Sequence, residues 1–158
     1  KNYFNQSHYF DLYEKNISNI SFYFETAHSL DNNDIKLSER IKIPSRRLRG
    51  FESGRVGPKD GEDYIGGNLA YSINFSSTIP QVFEESQNVD FLFFMDAADI
   101  VGVDYDSSLD KGEIRSSLGL GLDWYSPIGP MNFTLAHPIT KADTDKTETF
   151  RFNLGTTF

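Results

Sequence analysis

A two-residue alternation recurs along this chain, and it sorts the side chains in an unusual way. Ile20, Phe22, Phe24 and Thr26 oppose Ser21, Tyr23 and Glu25. Leu69, Tyr71, Ile73 and Phe75 oppose Ala70, Ser72, Asn74 and Ser76. Val89, Phe91, Phe93 and Met95 oppose Asp90, Leu92, Phe94 and Asp96. Leu118, Leu120, Leu122 and Trp124 oppose Ser117, Gly119, Gly121 and Asp123, and Met131, Phe133, Leu135 and His137 oppose Asn132, Thr134 and Ala136. At the end, Phe150, Phe152, Leu154, Thr156 and Phe158 oppose Arg151, Asn153, Gly155 and Thr157. Period two places successive side chains on opposite faces of a strand. With a less regular opening segment near Tyr3–Tyr13, the pattern predicts about seven strands and no helix of sustained period.

The chemistry of the two faces narrows the class further. A soluble sandwich keeps one face dry and gives the other charged residues. Here the polar face is mostly Ser, Asn, Thr and Gly, while the opposite face carries Phe, Leu, Tyr and Trp. Strands of roughly 9–11 residues match a tilted crossing of a bilayer. Apolar outside and small-polar inside is the arrangement of a barrel with lipid around it and water within. The connections alternate too: "YEKNIS" and "SPIGP" are short, whereas about 31–67, "DIVGVDYDSSLDKGE" and "ITKADTDKTE" are long. Short turns on one rim and long loops on the other suit a transmembrane barrel. A soluble β-sandwich or binding module is the alternative.

Other classes lack support. A net charge of −8 and a pI near 4.8 disfavour a nucleic-acid partner, which requires a basic face. The absence of Cys removes disulfide and thiolate chemistry. Asp104-Tyr105-Asp106 resembles the start of a calcium loop, but Leu109 and Arg115 occupy the positions where such a loop needs Gly and Glu. His8, His28 and His137 have no metal-ligand spacing. Asn5, Asn16, Asn19, Asn74 and Asn132 begin N-x-S/T triplets that reflect composition. No nucleophile–base order or phosphate loop is present, so no enzyme, cofactor or metal is expected.

Four stretches in order carry a family resemblance: "RRLRGFESGRVGPKDGEDYIGGN", "FFMDAAD", "SLGLGLDWYSPIGPMNFTLAHP" and "FRFNLGTTF". Together they resemble the C-terminal part of the BamA family of outer-membrane β-barrel assembly factors. The likeness is clear over about 36–158 and extends to the first 35 residues only by strand pattern. It implies an all-β fold: about seven C-terminal strands of a sixteen-stranded antiparallel transmembrane barrel. Residues 1–158 would then be one portion of a single barrel domain, a piece of a longer chain whose other strands and periplasmic repeats precede it.

The resemblance also implies roles. Arg49-Gly50-Phe51 would sit on a long extracellular loop folded into the lumen, with Gly66 and Gly67 as loop glycines. Asp96, on the polar face by parity, would pair with the loop arginine from the inner wall. Two departures stand out: Ala98 where the family usually has Gly, and Asn74 where many relatives carry a Glu as a second partner for that arginine. Phe150, Phe152, Leu154, Gly155 and Phe158 would form a C-terminal signal strand meeting the first strand at an openable seam. The implied function is folding and inserting nascent β-barrel proteins into the bacterial outer membrane, without ATP. The bilayer, the nascent barrels and accessory lipoproteins would be its partners. A TamA-like or two-partner secretion transporter of the same superfamily, or a passive porin, are the alternatives.

Overall fold

The computed structural model describes residues 1–30, 33–80 and 88–155. Seven strands form one antiparallel sheet in sequence order: β1 (Asn2–Phe10), β2 (Ser18–Thr26), β5 (Leu69–Ile79), β6 (Val89–Val101), β7 (Arg115–Ser126), β8 (Gly129–Thr140) and β9 (Phe150–Leu154). Each strand pairs with its neighbour in the chain, as a meander of amphipathic strands should. Two short strands, β3 (Lys59–Asp60) and β4 (Asp63–Tyr64), pair with each other inside the segment joining β2 to β5. No α-helix occurs among the described residues.

Burial is inverted relative to a water-soluble sheet. Ser21, Ser72, Asn74, Asp96, Ser117, Asn132 and Thr134 are buried. Phe22, Phe24, Ile73, Met95, Leu120, Trp124 and Leu135 on the opposite face are exposed. Such an apolar face is too large for an ordinary water-exposed surface and fits contact with lipid. The polar face is covered instead by the β2–β5 segment. Its Ile41, Ile43, Leu48, Phe51 and Val56 pack with Ala27, Ala70, Ala98 and Ile100 into the only apolar cluster found among the described residues.

The register stacks side chains in rows across the sheet. Ser21 lies opposite Asn74, Asn74 opposite Asp96, and Asp96 opposite Ser117. Phe94 lies opposite Gly119 and Leu92 opposite Gly121. A Cβ on Gly119 would come within 2.5 Å of the Phe94 ring, and one on Gly121 within 2.8 Å of Leu92. Bulky inward residues on β6 therefore lie over bare backbone on β7.

Two expected boundaries differ from the structure. The opening strand ends at Phe10, before a turn in which Asn16 holds the Leu12 N–H and the Ser77 hydroxyl. β6 runs past the alternating Val89–Asp96 segment and continues to Val101. Its last residues pair with Leu69–Ile73 while the overlying segment buries Ala98 and Ile100, so the simple inside–outside signal disappears there without ending the strand.

Candidate functional site

Three layers of contacts seat the β2–β5 segment on the polar face. At the long-loop rim, Arg40 forms an ion pair with Asp104, whose Oδ2 also accepts the Ile35 N–H at 2.6 Å. Next, Ile41 and Gly67 exchange two backbone hydrogen bonds of 2.8 and 3.0 Å. Gly66 has φ +72°, and a Cβ there would lie 2.3 Å from the Ile41 carbonyl oxygen, so only glycine fits this crossing. Gly67 is as tight: its Cβ would meet the Val101 carbonyl oxygen at 2.4 Å.

The deepest layer is Arg49 on Asp96. Arg49 Nε donates to Asp96 Oδ2 and Nη2 donates to Oδ1, each at 2.7 Å, and the Arg49 backbone N–H adds a third bond to Oδ2 at 3.0 Å. The guanidinium carbon sits 3.7 Å from the centroid of the Phe94 ring. Asp96 is only 2% exposed, so its charge is matched by directed donors rather than water. Asn74, beside Asp96 in the sheet, donates to Asp96 Oδ1 and to the Arg47 carbonyl oxygen, both at 2.8 Å. The amide therefore serves as a donor to the carboxylate and the loop backbone. A carboxylate at that position could not donate to either.

Gly50 makes the close approach possible. Its φ is +90°, and a Cβ would stand 3.1 Å from that of Ala136. Ser117 Oγ donates to the Arg49 carbonyl oxygen at 2.5 Å. Phe51, 1% exposed, lies in the apolar cluster and forms a bridge to Thr147 of the β8–β9 connection. Around it, Glu52 N–H donates to the Lys146 carbonyl oxygen, Lys146 N–H to that of Arg55, and Glu148 N–H to that of Gly50.

The C-terminal strand contributes from both faces. Phe150, Phe152 and Leu154 point outward and are exposed, with the Phe152 ring tilted against that of Phe133 at 5.0 Å. Inward-facing Arg151 donates from Nη2 to the Phe51 carbonyl oxygen at 2.7 Å and pairs with Glu148. Gly155 follows β9 with φ +79°. Phe158 lies outside the described residues.

Sequence reasoning missed one cluster. Arg115 donates from Nη1 to Asp99 at 2.5 Å and from Nε to Asp145 at 2.8 Å. Asp145 also accepts the N–H groups of Ala142 and Gly57. All three charged residues are buried, and together they tie β6, β7, the β8–β9 connection and the β2–β5 segment into one node. Only the start of β7 at Arg115, a charge at the head of an alternating strand, hinted at it.

The Omp85 superfamily domain matches residues 1–158. The chain belongs to the Omp85 superfamily. It is 32% identical over 139 residues to the outer membrane protein assembly factor BamA of Neisseria meningitidis, covering 70% of this chain and 17% of that protein. A SAM50-like protein of Schizosaccharomyces pombe is 34% identical over 128 residues, covering 73% of this chain and 26% of the relative. Among solved structures, the crystal structure of BamA from Haemophilus ducreyi lacking POTRA domains 1–3 superimposes with a TM-score of 0.83 at 28% identity. That match covers 94% of this chain and 33% of the other. This Omp85 chain thus spans a C-terminal barrel part, well short of its relatives' full length, and its seven strands form an open sheet.

Proposed function

We propose that this chain forms the C-terminal wall of an assembly factor that folds and inserts β-barrel proteins into the bacterial outer membrane. The observation that carries the reading is the junction of the Arg49–Asp96 anchor with the last strand. Arg49 fixes the β2–β5 segment to β6, and Arg151 of β9 holds the Phe51 carbonyl of that same segment. The set of the loop and the pairing of the last strand are therefore mechanically linked.

The ladder supports a seam at this end of the sheet. Among the described residues, β7 and β8 pair over eleven positions, from Ser116↔Thr140 to Ser126↔Gly129, whereas β8 and β9 pair over five, flanked by backbone bonds from Ala136 N–H to Thr149 and from Gly155 N–H to Pro130. An edge strand with unpaired backbone groups is a template for another strand. An incoming strand can add there, with the exposed aromatic face of the sheet held in lipid. Strand exchange and local thinning of the bilayer need no covalent step, so the protein is not an enzyme. Nascent barrel proteins are its substrates and accessory lipoproteins its partners. A passive porin is disfavoured because the β2–β5 segment occupies the face that would line an open pore.

The test is reconstitution of the full-length protein in liposomes, with the folding of a urea-denatured barrel protein followed by its heat-modifiable gel band. Wild type should accelerate folding over empty liposomes, and Arg49→Ala should lose most of that acceleration. Folding no faster than in empty liposomes would overturn the proposal.

A further inference from the structure

Beneath the anchored segment lies a cavity of about 430 Å³ on the polar face. Four guanidiniums line it, those of Arg46, Arg47, Arg49 and Arg151, against one carboxylate, Asp123. Arg49 is matched by Asp96 and Arg151 by Glu148. Arg46 and Arg47 have no ion-pair partner among the described residues. Arg47 is nonetheless held in place. Its Nη1 donates to Ser21 Oγ at 3.0 Å and to Asn74 Oδ1 at 3.5 Å, its Nη2 to Asn5 Oδ1 at 2.7 Å, and its guanidinium lies 5.2 Å from the Tyr23 ring. Its Nε is buried without an acceptor.

A fixed, partly buried cation without a counterion is a costly arrangement unless an anion completes it. Burial first, then the adjacent Arg46 charge, lower the pKa of Arg47, as expected for a cation short of its counterion. Two unpaired guanidiniums against Asp123 leave a single positive charge, which matches a monoanion better than a doubly charged phosphate. The surrounding wall is neutral amide and hydroxyl, including Asn5, Ser21, Asn132 and Thr134, which can bond a second oxygen or an adjoining peptide group. Beyond its bond to Asn5, Arg47 Nη2 keeps one N–H for a charge-assisted hydrogen bond to a carboxylate.

We propose that this cavity is a carboxylate-binding site in which Arg47 is the principal ligand, Arg46 adds charge and Asp123 sets the preference for a monoanion. The site stands on charge and geometry and is separate from the insertase reading.

The probe is acetate, with inorganic phosphate for comparison, added to the full-length protein in detergent at constant ionic strength. Binding is read from broadening of the acetate methyl resonance. Wild type should broaden it saturably. Arg47→Gln should weaken binding by about tenfold or more, the scale of one lost charge-assisted hydrogen bond. Asp123→Asn should tighten it, which loss of structure would not do, and the heat-modifiable band checks that each variant is folded. Three results would overturn the site: unchanged binding in a folded Arg47→Gln, weaker binding in a folded Asp123→Asn, or phosphate bound more tightly than acetate. Absence of any acetate response in wild type would overturn it as well, since it would mean that the protein's own chain already neutralises the two arginines.

Discussion

Arg49 grips Asp96 with both prongs of its guanidinium and with its own backbone N–H, so one buried carboxylate fixes side chain and main chain of the loop together. Asp96 has no exposed side-chain surface, while the Arg49 side chain keeps 20%. The pair is therefore dry on the acidic side and damp on the basic side.

That asymmetry sets the first prediction. Arg49→Ala leaves a buried carboxylate with Asn74 as its remaining side-chain donor and should cost about 3 kcal/mol. Asp96→Ala frees a guanidinium that can reach water and should cost less. Arg49→Lys keeps the charge but loses the fork, and should recover less than half of the loss. A double-mutant cycle read by protease sensitivity of residues 33–67 should give coupling of about 1.5 kcal/mol or more. Strict additivity would mean that the pair does not act as a unit.

The inward face of Asp96 was legible in the sequence, because parity places it with Asp90 opposite the apolar Val89, Phe91, Phe93 and Met95, even though Leu92 and Phe94 on its own face are apolar. The seven strands were legible for the same reason. Less could be read where one face meets protein and not lipid or water. "AADIV" carries no alternation, since the overlying segment buries Ala98 and Ile100, and the extent of β6 was lost with it. Asn74 was visible as a departure, but its use as a donor to both Asp96 and the Arg47 carbonyl requires the register. Of "SRRLR", the sequence singled out only Arg49, and the folded segment is what turns Arg47 toward Ser21 and Asn5.

The Asp99–Arg115–Asp145 node was illegible because its members lie on three elements, next to a register shift at Ser116/Ser117. Removing one member strands the others without compensation. Arg115→Ala should cost about 3–5 kcal/mol, and Asp145→Ala should loosen two segments at once, 141–149 and 52–58. Limited proteolysis of the full-length protein checks this. Cleavage gained in the first segment alone would show that Asp145 does not bind the second.

Outward exposure separates a lipid-facing wall from a wet one. Leu120 is 51% exposed at the middle of β7. On a water-facing sheet, Leu120→Arg would change little. In a bilayer it should destabilise by about 2–4 kcal/mol, with a smaller cost for the same change nearer a strand end. Unfolding of the full-length protein from liposomes in denaturant measures it, and a neutral result would remove the lipid assignment of this face.

The glycines of β7 give two predictions that part company. The three atoms nearest a Cβ on Gly121 all belong to the Leu92 side chain, the closest at 2.8 Å. A Cβ on Gly119 would meet the Phe94 ring at 2.5 Å and also the Leu135 carbonyl oxygen at 2.3 Å. Side chains can be trimmed and backbone cannot. Gly121→Ala should destabilise by about 1–3 kcal/mol as an overpacked site, and Leu92→Ala should relieve most of that strain when the two are combined. Gly119→Ala should cost more, and Phe94→Ala should not rescue it, because the clash with β8 remains and Arg49 loses the ring beneath it. The four single variants and two doubles are compared by unfolding midpoint in the full-length barrel. Rescue at position 119 equal to that at 121 would show that the β7–β8 backbones are not held as closely as the register requires.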